Sequence, residues 1–98
     1  MVQATTPTFL LTLPIDLTNI TKIVFTITQG ETKINKEGND LEINGQVVSV
    51  YLTQEETMRF KKGIARLQLN WLYPNGERGC SNIATIEVTP NLLLEVLE

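Results

Sequence analysis

The stretch ARLQLNWLY, residues 65–73, alternates apolar and mostly polar side chains, with Ala, Leu, Leu, Trp and Tyr at its odd-numbered positions. A period of two is typical of a β-strand that buries one face and exposes the other. This is the most regular alternation in the chain. We therefore predict a central strand over residues 65–73, with Trp71 on its buried face.

Similar alternation on both sides of this stretch predicts further strands, and prolines and glycines separate them. Residues 77–80 begin the last strand and residues 83–88 continue it, which gives about seven strands in all. Asn44-Gly45 is the strongest two-residue hairpin signal, since both residues tolerate positive φ. The remaining predicted strands cover residues 8–13, 21–29, 32–36, 41–43 and 46–52.

One segment carries a helix signal. Thr53 followed three residues later by Glu56 is a capping box, in which each residue binds the backbone N–H of the other. Two lysines and Gly63 then provide a typical helix end. We predict one or two helical turns from Gln54 to about Phe60.

This order of elements has no alternation of strands with long helices, so it favours an all-β domain. We predict a small antiparallel β-sandwich of immunoglobulin-like type, with about seven strands and one short helical turn. Residues 1–98 are predicted to form a single domain, in which residues 1–6 are a flexible N-terminus and residues 91–98 an apolar C-terminal tail.

Composition argues against most kinds of chemistry. The chain has no histidine and a single cysteine, Cys80, so no Ser-His or Cys-His pair and no His/Cys metal cage is available. Its net charge of −3 disfavours nucleic acid and anionic membranes as partners. We assign no catalytic, cofactor-binding or metal-binding residues and expect no enzymatic activity. The N-terminus lacks a basic segment followed by an apolar one, so we expect synthesis in the cytoplasm.

Two groups of residues are candidate contact sites. The leucine-rich tail is a candidate interface, since exposed apolar clusters usually mark contacts, and the alternative is a last strand or short helix packed on the same domain. Tyr51 and Tyr73 are candidate exposed aromatics, suited to stacking on a sugar or filling a partner's pocket. The candidate interface residues are Leu92, Leu93, Leu94, Val96 and Leu97.

The order of several short motifs resembles that of a known group of proteins. Small proteins encoded among the structural genes of prophages in gut-type Gram-positive bacteria share it, and the N-terminal β-sandwich domain of phage baseplate upper proteins is a more distant match. The resemblance spans about residues 5–88 and excludes the tail. The motifs are TTPTF (5–9), the LP and Asp of residues 13–16, a strand ending at Gln29, LTQEET (52–57), and Arg66 and Gln68 alternating with leucines.

The resemblance implies a structural protein associated with a phage tail or baseplate, and hence with a virion. Its partners would be other phage structural proteins or further copies of itself. The alternative hypothesis is a β-sandwich module that binds a carbohydrate or a peptide through exposed aromatics or loops.

Overall fold

A computed structural model describes residues 1–97, which form eight β-strands, a 3₁₀ turn and one short α-helix. The predicted class, a small antiparallel β-sandwich with a short helical turn, is confirmed. The strands are β1 (Thr8–Thr12), β2 (Lys22–Gln29), β3 (Thr32–Glu37), β4 (Leu41–Asn44), β5 (Val47–Tyr51), β6 (Gly63–Leu72), β7 (Arg78–Cys80) and β8 (Ala84–Val88). The 3₁₀ turn covers Gly38–Asp40, and the helix α1 covers Gln54–Met58.

The strands divide into two antiparallel sheets. The small sheet has the order β1-β5-β4, and the large sheet has the order β3-β2-β6-β7. β8 also belongs to the large sheet and pairs with the first half of β6, whereas β7 pairs with its last residues. The predicted central strand is therefore β6, which has neighbours along both edges.

The core lies between the two sheets and follows the alternation seen in the sequence. Phe25 and Ile27 from β2 and Leu69 from β6 face Val48 and Val50 from β5, and all five are buried. Trp71 is only 7% exposed, as predicted. Helix α1 and the following Phe60, which is fully buried, close one end of the sandwich.

The hairpin between β4 and β5 differs from the prediction by one residue. Asn44 pairs with Val47, so the two loop residues are Gly45 and Gln46 rather than Asn44 and Gly45. Gly45 has a φ of 63°, and a glycine with positive φ at the first loop position is typical of a type II′ turn. This register places Ile43 opposite Val48, so two apolar side chains meet across the strands.

The N-terminus also differs from the prediction, because hydrogen bonds hold residues 1–6 to the domain. Val2 forms a parallel bridge with Thr89. The Gln3 side-chain amide donates to the carbonyl oxygen of Phe60 at 2.6 Å. Thr5 donates its N–H to the Thr57 hydroxyl at 3.0 Å, and that hydroxyl donates to the Thr5 carbonyl at 2.8 Å. The segment covers the end of the sandwich closed by α1.

Candidate functional site

The C-terminal tail crosses the end of the sandwich from β8 to α1 and is fixed at both ends by polar groups. The side chain of Asn91 donates to the carbonyl oxygen of Gln3 at 2.9 Å. Leu97 donates its N–H to the Gln54 side-chain oxygen at 2.9 Å, and the Gln54 side-chain nitrogen donates to the Leu97 carbonyl at 3.1 Å. Residues 91–97 form neither strand nor helix. The domain therefore holds the tail through hydrogen bonds.

The apolar side chains of this segment remain in solvent. We call residues 92–97 the apolar tail. More than half of the surface of Leu93 and Val96 is covered in the single chain, whereas Leu92 and Leu97 are mostly exposed. Their exposed fractions are 106% for Leu92, 45% for Leu93, 50% for Leu94, 38% for Val96 and 67% for Leu97. Several exposed apolar side chains in one short segment are typical of an interaction surface.

The two tyrosines do not form a common site. Tyr51 is 51% exposed and lies on the outer face of the small sheet. Tyr73 is half-buried and packs against the core, so only part of its ring is exposed. Tyr51 precedes α1, whereas Tyr73 follows β6, a strand that starts just after α1 and spans about 30 Å. The tyrosines therefore lie near opposite ends of the molecule.

A charged pair fixes the helix that holds the end of the tail. Lys36 on β3 donates to Glu56 on α1, with its Nζ 2.8 Å from Oε1 and 2.7 Å from Oε2. The two side chains are 14% and 22% exposed. Partial burial of Glu56 raises the pKa of its carboxyl, but hydrogen bonds from Lys36 and the Thr53 N–H outweigh it, so the pKa is lowered. Glu56 thus stays ionised and connects α1 to the large sheet.

The outer face of the large sheet contains a shallow depression of about 360 Å³. Four of its polar side chains already bind one another: Thr26 donates to the Asn35 side-chain oxygen at 2.7 Å, and Arg78 donates to that of Asn70 at 2.9 Å. Trp71 also borders the depression, but its side chain is almost fully buried. The depression offers no exposed aromatic ring for a sugar to stack on.

Several apolar residues outside the predicted contact sites are also exposed, and Leu10 is the most exposed of them. Leu10 on β1 is 70% exposed on the outer face of the small sheet, diagonally across from Tyr51. The available signal was the absence of any charged residue between Pro7 and Pro14. Cys80, by contrast, is an exposed free thiol. Within residues 1–97, no cluster of three or more acidic or cysteine side chains is arranged to hold a metal ion.

Comparison with known proteins adds no relative: no family model, no curated protein and no solved structure matches the chain. Over residues 1–97, no helix has the length and the apolar character needed to span a membrane.

Proposed function

We propose that this chain is a non-enzymatic structural protein that works through protein–protein contacts, and that the apolar tail is its main contact surface. One observation carries the proposal. The tail is attached to the domain through polar groups of Asn91, Gln54 and Leu97, while its apolar side chains remain between 38% and 106% exposed. A partner can cover these side chains and remove apolar surface from water without any unfolding of the domain.

The size of the cluster is sufficient for a measurable contact. Removing apolar surface from water contributes about 25 cal/mol per Å², so covering five aliphatic side chains contributes several kcal/mol. Association offsets part of this free energy, because the partners lose translational and rotational freedom. Because hydrogen bonds already position the tail, less ordering remains to be done on binding. We expect association in the micromolar range.

The sequence resemblance supports a particular class of partner. The motifs of residues 5–88 are in the order found in prophage structural proteins and, more distantly, in baseplate upper proteins. We propose that the partners are structural subunits of a phage tail or baseplate, including further copies of this chain. A carbohydrate-binding module has less support, because Tyr51 and Tyr73 lie near opposite ends of the molecule and Tyr73 is half-buried.

The test is the mass of the chain in solution, measured by light scattering over a concentration series. The variant Leu92→Ser/Leu97→Ser removes the two most exposed side chains of the tail. The control Ile64→Ser/Ile83→Ser removes two aliphatic side chains that are 59% and 57% exposed elsewhere. We expect the tail variant to associate at least tenfold more weakly and the control to behave like the parent. Equal association of both variants would contradict the proposal.

A further inference from the structure

Strand β1 has a free edge whose backbone groups have no partner. Leu13 donates its N–H to the Gln46 carbonyl at 2.9 Å, and Leu52 donates to the Pro7 carbonyl at 3.1 Å. Because hydrogen-bonded pairs alternate along an antiparallel ladder, residues 7, 9, 11 and 13 direct their backbone groups towards β5. Residues 8, 10 and 12 therefore direct theirs away from it. Within residues 1–97, no other strand pairs with β1.

This edge lacks the features that usually prevent strands from pairing between molecules. Outer strands are commonly protected by charged side chains, prolines or bulges. The sequence of β1 is TFLLT, without charge and without proline. The other outer strands each carry charge: Lys33 on β3, Glu42 on β4, Arg78 on β7 and Glu87 on β8. Among these outer strands, β1 is the one without a charged residue.

We infer that β1 binds β1 of a second copy of this chain in antiparallel orientation, which joins two small sheets into one continuous sheet. Charge selects this occupant. Two copies of β1 bring no charged side chain to the contact, although the whole molecule has a net charge of −3. Every other outer strand would instead bring a charged side chain to this edge, and charged side chains are a common protection against strand pairing.

The register of this pair follows from a two-fold axis at Leu10. Leu10 of one copy lies opposite Leu10 of the other, and Thr8 lies opposite Thr12. Thr8, Leu10 and Thr12 are the residues with free backbone groups, so the two residues of each opposed pair form two backbone hydrogen bonds with one another. On the inner face, Phe9 of one copy lies opposite Leu11 of the other, and both side chains are half-buried in the single chain. Leu10, which is 70% exposed, becomes covered by its own copy.

This contact is separate from the apolar tail and does not depend on it. The β1 pair is two-fold symmetric and therefore closes at a dimer. A second contact through the tail lets such dimers join into larger assemblies. The two surfaces can thus be tested independently, because a tail variant loses assemblies larger than the β1 dimer and a β1 variant loses that dimer.

The test combines mass with amide exchange on the full chain. Leu10→Lys places like charges opposite one another at the two-fold axis, and Ile64→Lys is the matched control on the outer face of β6, at a position that pairs with Glu87 of β8. We expect Leu10→Lys to weaken dimerisation at least tenfold in sedimentation velocity and Ile64→Lys to leave it unchanged. Both residues are exposed, so thermal unfolding of either variant stays close to that of the parent.

Amide exchange followed by NMR distinguishes this contact from the tail. The amides of Thr8, Leu10 and Thr12 are expected to exchange rapidly in dilute protein and to become protected as concentration rises. This protection persists in Leu92→Ser/Leu97→Ser if the inference is correct, even if the tail plays no part in assembly. Exchange that is independent of concentration, or equal dimerisation of Leu10→Lys and the parent, would overturn the inference.

Discussion

The indole ring of Trp71 lies directly against Gly79, its partner in the register of β6 and β7. A Cβ atom at position 79 would stand 2.6 Å from Cε2 and 2.9 Å from Cζ2 of the ring, and real Cβ contacts are almost never shorter than 3.0 Å. Gly79 has no positive φ, so space rather than backbone conformation requires glycine here. β7 therefore covers the tryptophan because residue 79 has no side chain.

Gly79→Ala is expected to lower the free energy of unfolding by about 1–3 kcal/mol, the usual cost of overpacking a filled site. Denaturant unfolding measures it. The double variant with Trp71→Phe should recover part of the loss, because the smaller ring makes room for the methyl group. A double variant whose loss equals the sum of the two single losses would show that the ring and residue 79 do not compete for space.

Trp71→Ala is expected to cost about 3–5 kcal/mol, the range for truncating a large buried aromatic side chain. Trp71→Phe should cost less, since it keeps most of the apolar volume and removes an indole N–H that has no hydrogen-bond partner within residues 1–97. Chemical denaturation of the two variants provides the comparison. An unchanged unfolding midpoint for Trp71→Ala would mean that the ring is not part of the core.

The Lys36–Glu56 pair is expected to make stability depend on pH in the acid range. The folded-state pKa of Glu56 is lowered, so its contribution is complete above the ordinary glutamate pKa and is lost as pH falls through the folded value. Glu56→Gln keeps an acceptor for the Thr53 N–H but removes the charge. Unfolding free energies between about pH 6 and pH 3 should therefore decrease less for Glu56→Gln than for the parent.

The control for this prediction is Glu55→Gln, which alters an exposed carboxylate on the same helix turn. It should retain the parent's pH dependence. If Glu55→Gln and Glu56→Gln reduce the pH dependence of the unfolding free energy equally, that dependence comes from the overall charge and not from the pair with Lys36.

The Thr57 hydroxyl is expected to hold the N-terminal segment in place. Thr57→Val keeps the shape of the side chain but leaves Thr5 without its two hydrogen bonds, at a cost of about 1–3 kcal/mol. Thr57→Ser keeps the hydroxyl, so its unfolding free energy should decrease less. Hydrogen exchange should show faster exchange of the Thr5 amide in Thr57→Val. Equal exchange in the two variants would contradict this role.

Much of the fold could be predicted because its signals are local. The capping box formed as expected: the Glu56 N–H donates to the Thr53 hydroxyl at 3.2 Å, and the Glu56 carboxylate accepts the Thr53 N–H at 2.9 Å. The alternation in residues 65–73 likewise depends only on adjacent residues, and it placed Trp71 correctly in the core.

The remaining features depend on residues distant in the sequence. The hydrogen bonds between Thr5 and Thr57 span 52 positions, so nothing near residues 1–6 indicates that they are held. The β4–β5 loop forms one residue later than Asn44-Gly45 because that register pairs Ile43 with Val48. The apolar tail was visible as a run of leucines, but the free edge of β1 depends on which strand lies at the edge of the sheet.

Above all, we propose that the apolar side chains of the tail are exposed in the single chain and covered in an assembly. Carbene footprinting of the unaltered protein at low and at high micromolar concentration measures this directly. We predict strong labelling of Leu92, Leu94 and Leu97 in the dilute sample and marked protection in the concentrated one, while labelling of Ile64 and Ile83 stays constant. Tail leucines that are already protected in the dilute monomer, or that remain labelled in the assembled protein, would contradict the claim.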